Sequence, residues 1–261
     1  MSEDPVRTQR RGAILEVTLD RPKANAIDAA TSRRLGEAFA GFRDDPQMRV
    51  AIVTGGGSKF FCAGWDLLAA AEGEPPDADY GVGGFGGLQE LPGLNKPVIA
   101  AVNGMAVGGG FELALSADLI IAAEHARFAL PEIKAGTLAD SATVRLPRRI
   151  PYHVAMELLL LGRWMEAPEA HLRGIVNEIV PAAELMTRAR AIATVLAEGP
   201  PLVFAAIKEV AREGESMPFM QVMEKIRTRG FPTVARLFSS EDQREGARAF
   251  AEKRAPRWQG R

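Results

Sequence analysis

The sequence predicts a layered α/β fold. Short apolar and β-branched runs recur through its first two thirds, bounded by glycine, proline or aspartate. Runs with helical spacing stand between them. From Tyr152 onward the pattern is mainly helical. Such alternation implies strands packed in layers against helices.

In order along the chain, Ala13–Leu19 is apolar and β-branched, a strand broken by Asp20-Arg21-Pro22. Lys23-Ala24-Asn25-Ala26 is a short exposed loop. Asp28 caps a helix running to about Phe42, with Leu35, Ala38, Phe39 and Phe42 on one face. Arg49–Thr54 is a second strand, ending in Gly55-Gly56-Gly57-Ser58. That cluster lacks the lysine–hydroxyl pair of a phosphate loop and reads as a plain turn. Phe60–Asp66 leads into a helix starting near Asp66. The glycine-, proline- and acid-rich stretch 73–87 is a mobile loop. Pro97–Val102, Leu119–Ala122 and Arg127–Leu130 are further strands. Tyr152–Leu160 is helical, Gly174–Val180 is a last strand, and four amphipathic helices follow: 183–197, 201–212, 218–229 and 240–252.

At 261 residues the chain holds one large domain or a domain with an appendage. A net charge of -1 gives no basic footprint for nucleic acid. The single cysteine, Cys62, excludes an internal disulfide and a cysteine-rich zinc site, and fits a reducing cytoplasm. No apolar run approaches a membrane span, and the polar start Ser2-Glu3-Asp4-Pro5 has no leader-like core. His125, His153 and His171 show no metal-ligand spacing.

The chemistry centres on Val102–Glu112. A buried strand leads into Gly108-Gly109-Gly110, and a helix follows from Phe111 with Glu112 in its first turn. Helix starts present unpaired N–H groups, and glycine lets another molecule approach them. Glu112 would repel a phosphate. It suits a carbonyl that needs an oxyanion hole together with an acid or base. About twenty residues on, Leu130-Pro131-Glu132 supplies a second carboxylate in a strand-to-loop passage. Two glutamates around one oxyanion site can share a water and do acid–base work.

Gly108-Gly109-Gly110-Phe111-Glu112, Leu130-Pro131-Glu132 and Phe61-Cys62-Ala63-Gly64-Trp65-Asp66-Leu67 together resemble the crotonase family, the enoyl-CoA hydratases and isomerases. The likeness runs from about Leu15 to Arg257. Asp20–Asp28 shares it. The acidic stretch Ala69–Glu74 with Pro76–Asp79 is not general to the family and marks a narrower branch. The resemblance implies a crotonase-like spiral of β-β-α turns over residues 1–200, although no internal sequence repeat is visible. It implies a C-terminal helical oligomerisation region over 201–261, giving a homotrimer or a dimer of trimers.

It also implies an acyl-CoA thioester substrate, with coenzyme A as part of that substrate and no separate cofactor or metal. The backbone N–H groups of Trp65 and Gly109 would hold the thioester oxygen. Glu112 and Glu132 would jointly move the proton and activate water. Lys23, Ala24, Ala26, Ala63, Asp66, Leu67 and Gly108 would meet the CoA moiety, and Lys253-Arg254 would add charge or simply end a solvated helix. Trp65, Tyr80 and Phe85 near Glu72, Glu74, Asp77 and Asp79 suit a cationic acyl group. The family's Gly-x-x-Pro-x-x-Gly-Gly loop is altered: here it is Gly136–Leu146, about one residue shorter, with Ala139 for proline and the paired glycines lost. The departure bears on water placement and leaves double-bond isomerisation, or acyl-CoA binding without turnover, as alternatives to hydration.

Overall fold

A computed structural model describes residues 4–261, so Ser2 and Glu3 of the polar start lie outside the described residues. Strands β1 (Val6–Arg11) and β2 (Ile14–Leu19) form an antiparallel hairpin through Gly12, and helix α1 (Ala29–Asp44) follows. Asp28 caps α1 by accepting from the Thr31 N–H.

The chain then repeats one pattern three times. β3 (Val50–Gly55) enters a large sheet, β4 (Phe60–Cys62) enters a small one, and α2 (Leu67–Ala71) follows. β5 (Val98–Val102), β6 (Met105–Val107) and α3 (Gly109–Leu115) do the same, as do β7 (Leu119–Ala123), β8 (Arg127–Ala129) and α4 (Glu132–Ala135). This is the β-β-α spiral, repeated in structure without a repeat in sequence. Helices α5 (Asp140–Arg149) and α6 (Tyr152–Leu161), strand β9 (Met165–Glu166), helix α7 (Ala167–Leu172) and strand β10 (Glu178–Val180) complete the two sheets. Their orders are β1-β2-β3-β5-β7-β10 and β4-β6-β8-β9.

The central parallel strands of the large sheet are buried on both faces. Ala51 and Val53 of β3 face one core with Phe39, Phe61 and Phe111, whereas Val50 and Ile52 face a second core. Helix α8 (Leu185–Glu198) closes that second core with Leu185, Ala189 and Ala193. Parallel strands covered on both sides read as continuous apolar runs, as Val50–Val53 and Val98–Val102 do. Arg190 of α8 forks onto the buried Glu16 of β2 at 2.7 and 2.9 Å. Helices α9 (Pro201–Gly214), α10 (Phe219–Arg227), α11 (Pro232–Phe238) and α12 (Glu241–Ala251) form the C-terminal part, with a small separate core of Ala206, Phe231 and Val234.

Several expectations need correction. β1 is a solvated edge strand with five exposed residues, so it carries no apolar alternation to betray it. β6, β9, α7 and α11 are too short for a periodic signal. Helix α3 starts at Gly109, before Phe111, and Glu132 opens a short helix instead of lying in a loop. The altered loop 136–146 becomes helix α5 from Asp140. Stretch 73–87 is not free. Ser32 Oγ lies within hydrogen-bond distance of Tyr80 O and Gly84 O, at 3.2 and 3.0 Å, and accepts from the Gly86 N–H. Gly87 packs so closely on α1 that a methyl there would clash with the Gly36 backbone. The Lys23–Ala26 loop is anchored by Asn25, 4% exposed, whose amide donates to Gly56 O and Phe60 O.

Candidate active site

The two glycine-bearing turns meet backbone to backbone. A methyl on Gly64 would lie 2.6 Å from Val107 O and 2.9 Å from Gly109 N, and one on Gly110 would clash with Cys62 O. Only glycine permits that approach at either turn. Gly64 and Gly108 also hold φ of +85° and +55°, which other residues adopt at a cost. Trp65 and Gly109 therefore line one open cleft of about 540 Å³, and neither backbone N–H is engaged within the described residues. A methyl on Gly109 would strike the Phe85 ring, so Phe85 sets the width of the cleft at this point.

Both glutamates line the same cleft. Glu112 is 4% exposed, and its Oε1 accepts from the Ala142 N–H at 2.8 Å. Burial raises its pKa above the usual carboxylate range, opposed by that hydrogen bond; Asp140 adds to the rise. Glu132 is pushed up to about 7, mainly by burial, with the charges of Glu112 and Asp140 adding. Its Oε2 is buried and unpartnered among the described residues. Gly108 sits directly beneath it, since a methyl there would lie 2.6 Å from Glu132 Oε1. Two carboxyls with raised pKa values facing unengaged N–H donors can exchange a proton with a bound carbonyl compound near neutral pH.

The rest of the cleft lining is acidic and aromatic. Asp77, Asp79, Tyr80, Phe85, Glu90 and Asp140 belong to it, and among the described residues no lysine, arginine or histidine does. Tyr80 and Phe85 meet edge to face at 5.2 Å. Burial, aided by the charges of Glu74, Asp140 and Asp77, raises the Tyr80 phenol to about 12. Two of the four acids expected here lie elsewhere. Glu72 is exposed and outside the lining, and Glu74 is engaged in holding Trp65 Nε1 and Ala29 N–H, each at 3.0 Å. Glu90 and Asp140 join the wall without being among the expected acids. Asp140 has a readable signal as an acidic residue opening an amphipathic run; Glu90 has none.

The remaining expected contacts form a paired ridge beside Trp65. Ala63 N donates to Ala24 O, Ile27 N to Gly64 O and Asp66 N to Ile27 O. Lys23, Ala24, Ala26, Ala63, Asp66 and Leu67 sit on this ridge and do not line the cleft. The Asp66 carboxylate caps α2 and pairs with Arg21 at 2.6 Å, so it is engaged inside the fold. Arg21, which also holds Asp28 and Ala26 O, escapes sequence reasoning: beside a proline it looks like a turn residue. Arg254 is engaged by Glu245 and Glu252, which favours a solvated helix end there.

The enoyl-CoA hydratase/isomerase family model matches residues 9–261. The carnitinyl-CoA dehydratase of Salmonella typhi is 57% identical over 262 residues, covering 100% of both chains. That of Proteus mirabilis (strain HI4320) is 56% identical and covers 96% of this chain and 97% of its own. The enoyl-CoA hydratase of Mycobacterium tuberculosis H37Rv superposes with a TM-score of 0.90 at 41% identity, covering 99% of this chain and 100% of that one. Spiral, joined glycine turns and glutamate pair thus occur in a chain alike from end to end to these enzymes, and it belongs to the enoyl-CoA hydratase/isomerase family.

Proposed function

We propose that the protein is a hydratase/dehydratase of a CoA thioester whose acyl group carries a positive charge, with carnitinyl-CoA and crotonobetainyl-CoA as the pair it interconverts. The acidic, aromatic cleft wall, with no basic side chain among the described residues, carries this reading. A trimethylammonium group offers no N–H to donate, so aromatic faces and carboxylates are what can hold it. A plain acyl pocket has no use for such a wall.

In this reading the thioester oxygen lies between the Trp65 and Gly109 N–H groups, and a donor of this kind is worth about 3 kcal/mol of barrier. Glu112 and Glu132 share the proton work, one taking the α-proton while the other assists the departing hydroxyl, and the reverse path adds water. We assign them as a pair because interacting groups share their protons. The reaction is acid–base chemistry with no net redox change, so coenzyme A within the substrate is the only cofactor it calls for. Lys23 and the ridge beside Trp65 receive the CoA moiety.

Residues 201–261 form the assembly region of a homotrimer or dimer of trimers; exposed Phe219, Met220 and Phe250 are apolar surface that a neighbour would cover. Among the described residues no single helix is long and apolar enough to cross a membrane. We assign the enzyme to the cytoplasm, with neither nucleic acid nor membrane as a partner.

Loss of enoyl-thioester absorbance with crotonobetainyl-CoA and with crotonyl-CoA tests the proposal. A larger kcat/KM for crotonobetainyl-CoA is expected, and Asp77→Asn with Asp79→Asn should shrink the ratio. A preference for crotonyl-CoA would remove the charged acyl group from the reading and leave a general hydratase.

A further inference from the structure

Among the described residues, seven buried side-chain polar atoms have no hydrogen-bond partner. Gln89 Nε2 and Glu132 Oε2 belong to the cleft already described. Arg49 Nη1 and Asn95 Oδ1 belong to one other cavity, of about 400 Å³. A buried polar atom left unpaired costs roughly 1–3 kcal/mol, and more when charged, so two at one cavity mark a place where a ligand completes the bonding.

The cavity lies on the seam between the core and the C-terminal helices. Arg43 at the end of α1, Arg49 before β3 and Lys96 before β5 line it from the core, and Arg236 of α11 lines it from the other side. Among the described residues the one carboxylate side chain in the lining, Asp44, is held by Arg43 at 2.8 Å. Arg49, Lys96 and Arg236 form no ion pair within the described residues and donate only to carbonyls. Arg49 reaches Trp258 O in the C-terminal tail at 3.4 Å. Lys96 reaches Phe42 O and Asp45 O at 2.8 and 2.6 Å, and Arg236 reaches Gly260 O at 3.0 Å. Each of the three cations keeps unused N–H groups. Burial pushes the Lys96 ammonium pKa down; Asp45 and Asp44 oppose this, and the charge of Arg49 adds to it.

We propose that this cavity binds a phosphate group, as inorganic phosphate or as the phosphate monoester of a nucleotide, between Arg49, Lys96 and Arg236. Guanidinium forks match phosphate oxygens in pairs, and an ammonium adds a point charge. Asn95 Oδ1 lacks a donor, which the P–OH of hydrogen phosphate or of a singly protonated monoester supplies and sulfate does not. The bound group joins cations of the core to Arg236, so occupancy ties the C-terminal helices to the sheet. The site is independent of the acyl-CoA reading.

Calorimetric titration of the full chain with inorganic phosphate, with sulfate and with adenosine 5′-monophosphate, at constant ionic strength, tests this. Saturable phosphate binding, stronger than sulfate binding and weakened about tenfold or more by Arg49→Met and by Arg236→Met, is expected. Binding of the nucleotide alone, lost in the same variants, assigns the monoester as the source. Should Arg49→Met fail to fold, Arg236→Met and Lys96→Gln carry the test, and Arg236→Met should hydrate enoyl-CoA at the wild-type rate without phosphate. Binding that these variants leave unchanged, or no binding of either phosphate at about 10 mM, overturns the proposal.

Discussion

Glu132 shows how one residue's surroundings set its chemistry. Its pKa stands at about 7 because burial, and then the charges of Glu112 and Asp140, disfavour its ionised form. A carboxyl whose native pKa is raised holds its proton more tightly folded than unfolded. The native state therefore loses stability as pH rises from the ordinary value of 4.5 to about 7. Glu132→Gln removes this loss, so its melting temperature should fall less than that of the wild type across that interval. Thermal scans at several pH values check it, and parallel curves would mean that Glu132 is not protonated near neutrality. For activity, Glu112→Gln and Glu132→Gln should each lower turnover by at least about a hundredfold while acyl-CoA binding is largely kept. Wild-type rates in both would make the pair structural.

Helix α5 begins within the segment whose sequence departs from the family pattern, and its first turn is tied directly to the site. The Ala142 N–H donates to Glu112 Oε1 at 2.8 Å, a bond that holds down the Glu112 pKa. Lower on the same helix, Arg145 donates to Ser116 Oγ and to Gln89 O, so α5 is also fastened to α3 and to the cleft wall. Proline is tolerated in a first helical turn but has no N–H to donate. Ala142→Pro should therefore raise the Glu112 pKa further and move the pH–rate profile upward, with turnover reduced about tenfold or more, the loss expected for a hydrogen bond to a charged group. An unchanged profile would show that α5 does not set the protonation of the pair.

The whole molecule leaves apolar surface uncovered at its C-terminal end. Phe219 and Met220 on α10 are 73% and 65% exposed, and Phe250 on α12 is 87% exposed. The small core of Ala206, Phe231 and Val234 supplies little to hold α9–α12 together in isolation. Light scattering at micromolar concentration should report a trimer or hexamer, and Phe219→Glu with Phe250→Glu should shift it toward smaller species. A monomeric wild-type chain would contradict the assembly reading.

Much of this was legible in the sequence because local chemistry dictates it. The parallel strands are continuous apolar runs, Asp28 is a helix cap whatever surrounds it, and Gly108–Glu112 with Leu130-Pro131-Glu132 carries the family likeness in consecutive residues. What tertiary structure decided are relations between residues distant in sequence. Glu74 and Asp79 look alike on paper, yet one is engaged by Trp65 and Ala29 while the other lines the cleft. Asp140 and Glu90 reach the cleft only because α5 and the segment after Phe85 fold against it. Glycine announces a tight place, but only the packing says against what: Cys62 O for Gly110, the Phe85 ring for Gly109, the Glu132 carboxylate for Gly108. Side-chain type and local propensity are properties of the chain, whereas burial, charge environment and close approach arise from parts of the fold that no sequence window contains together.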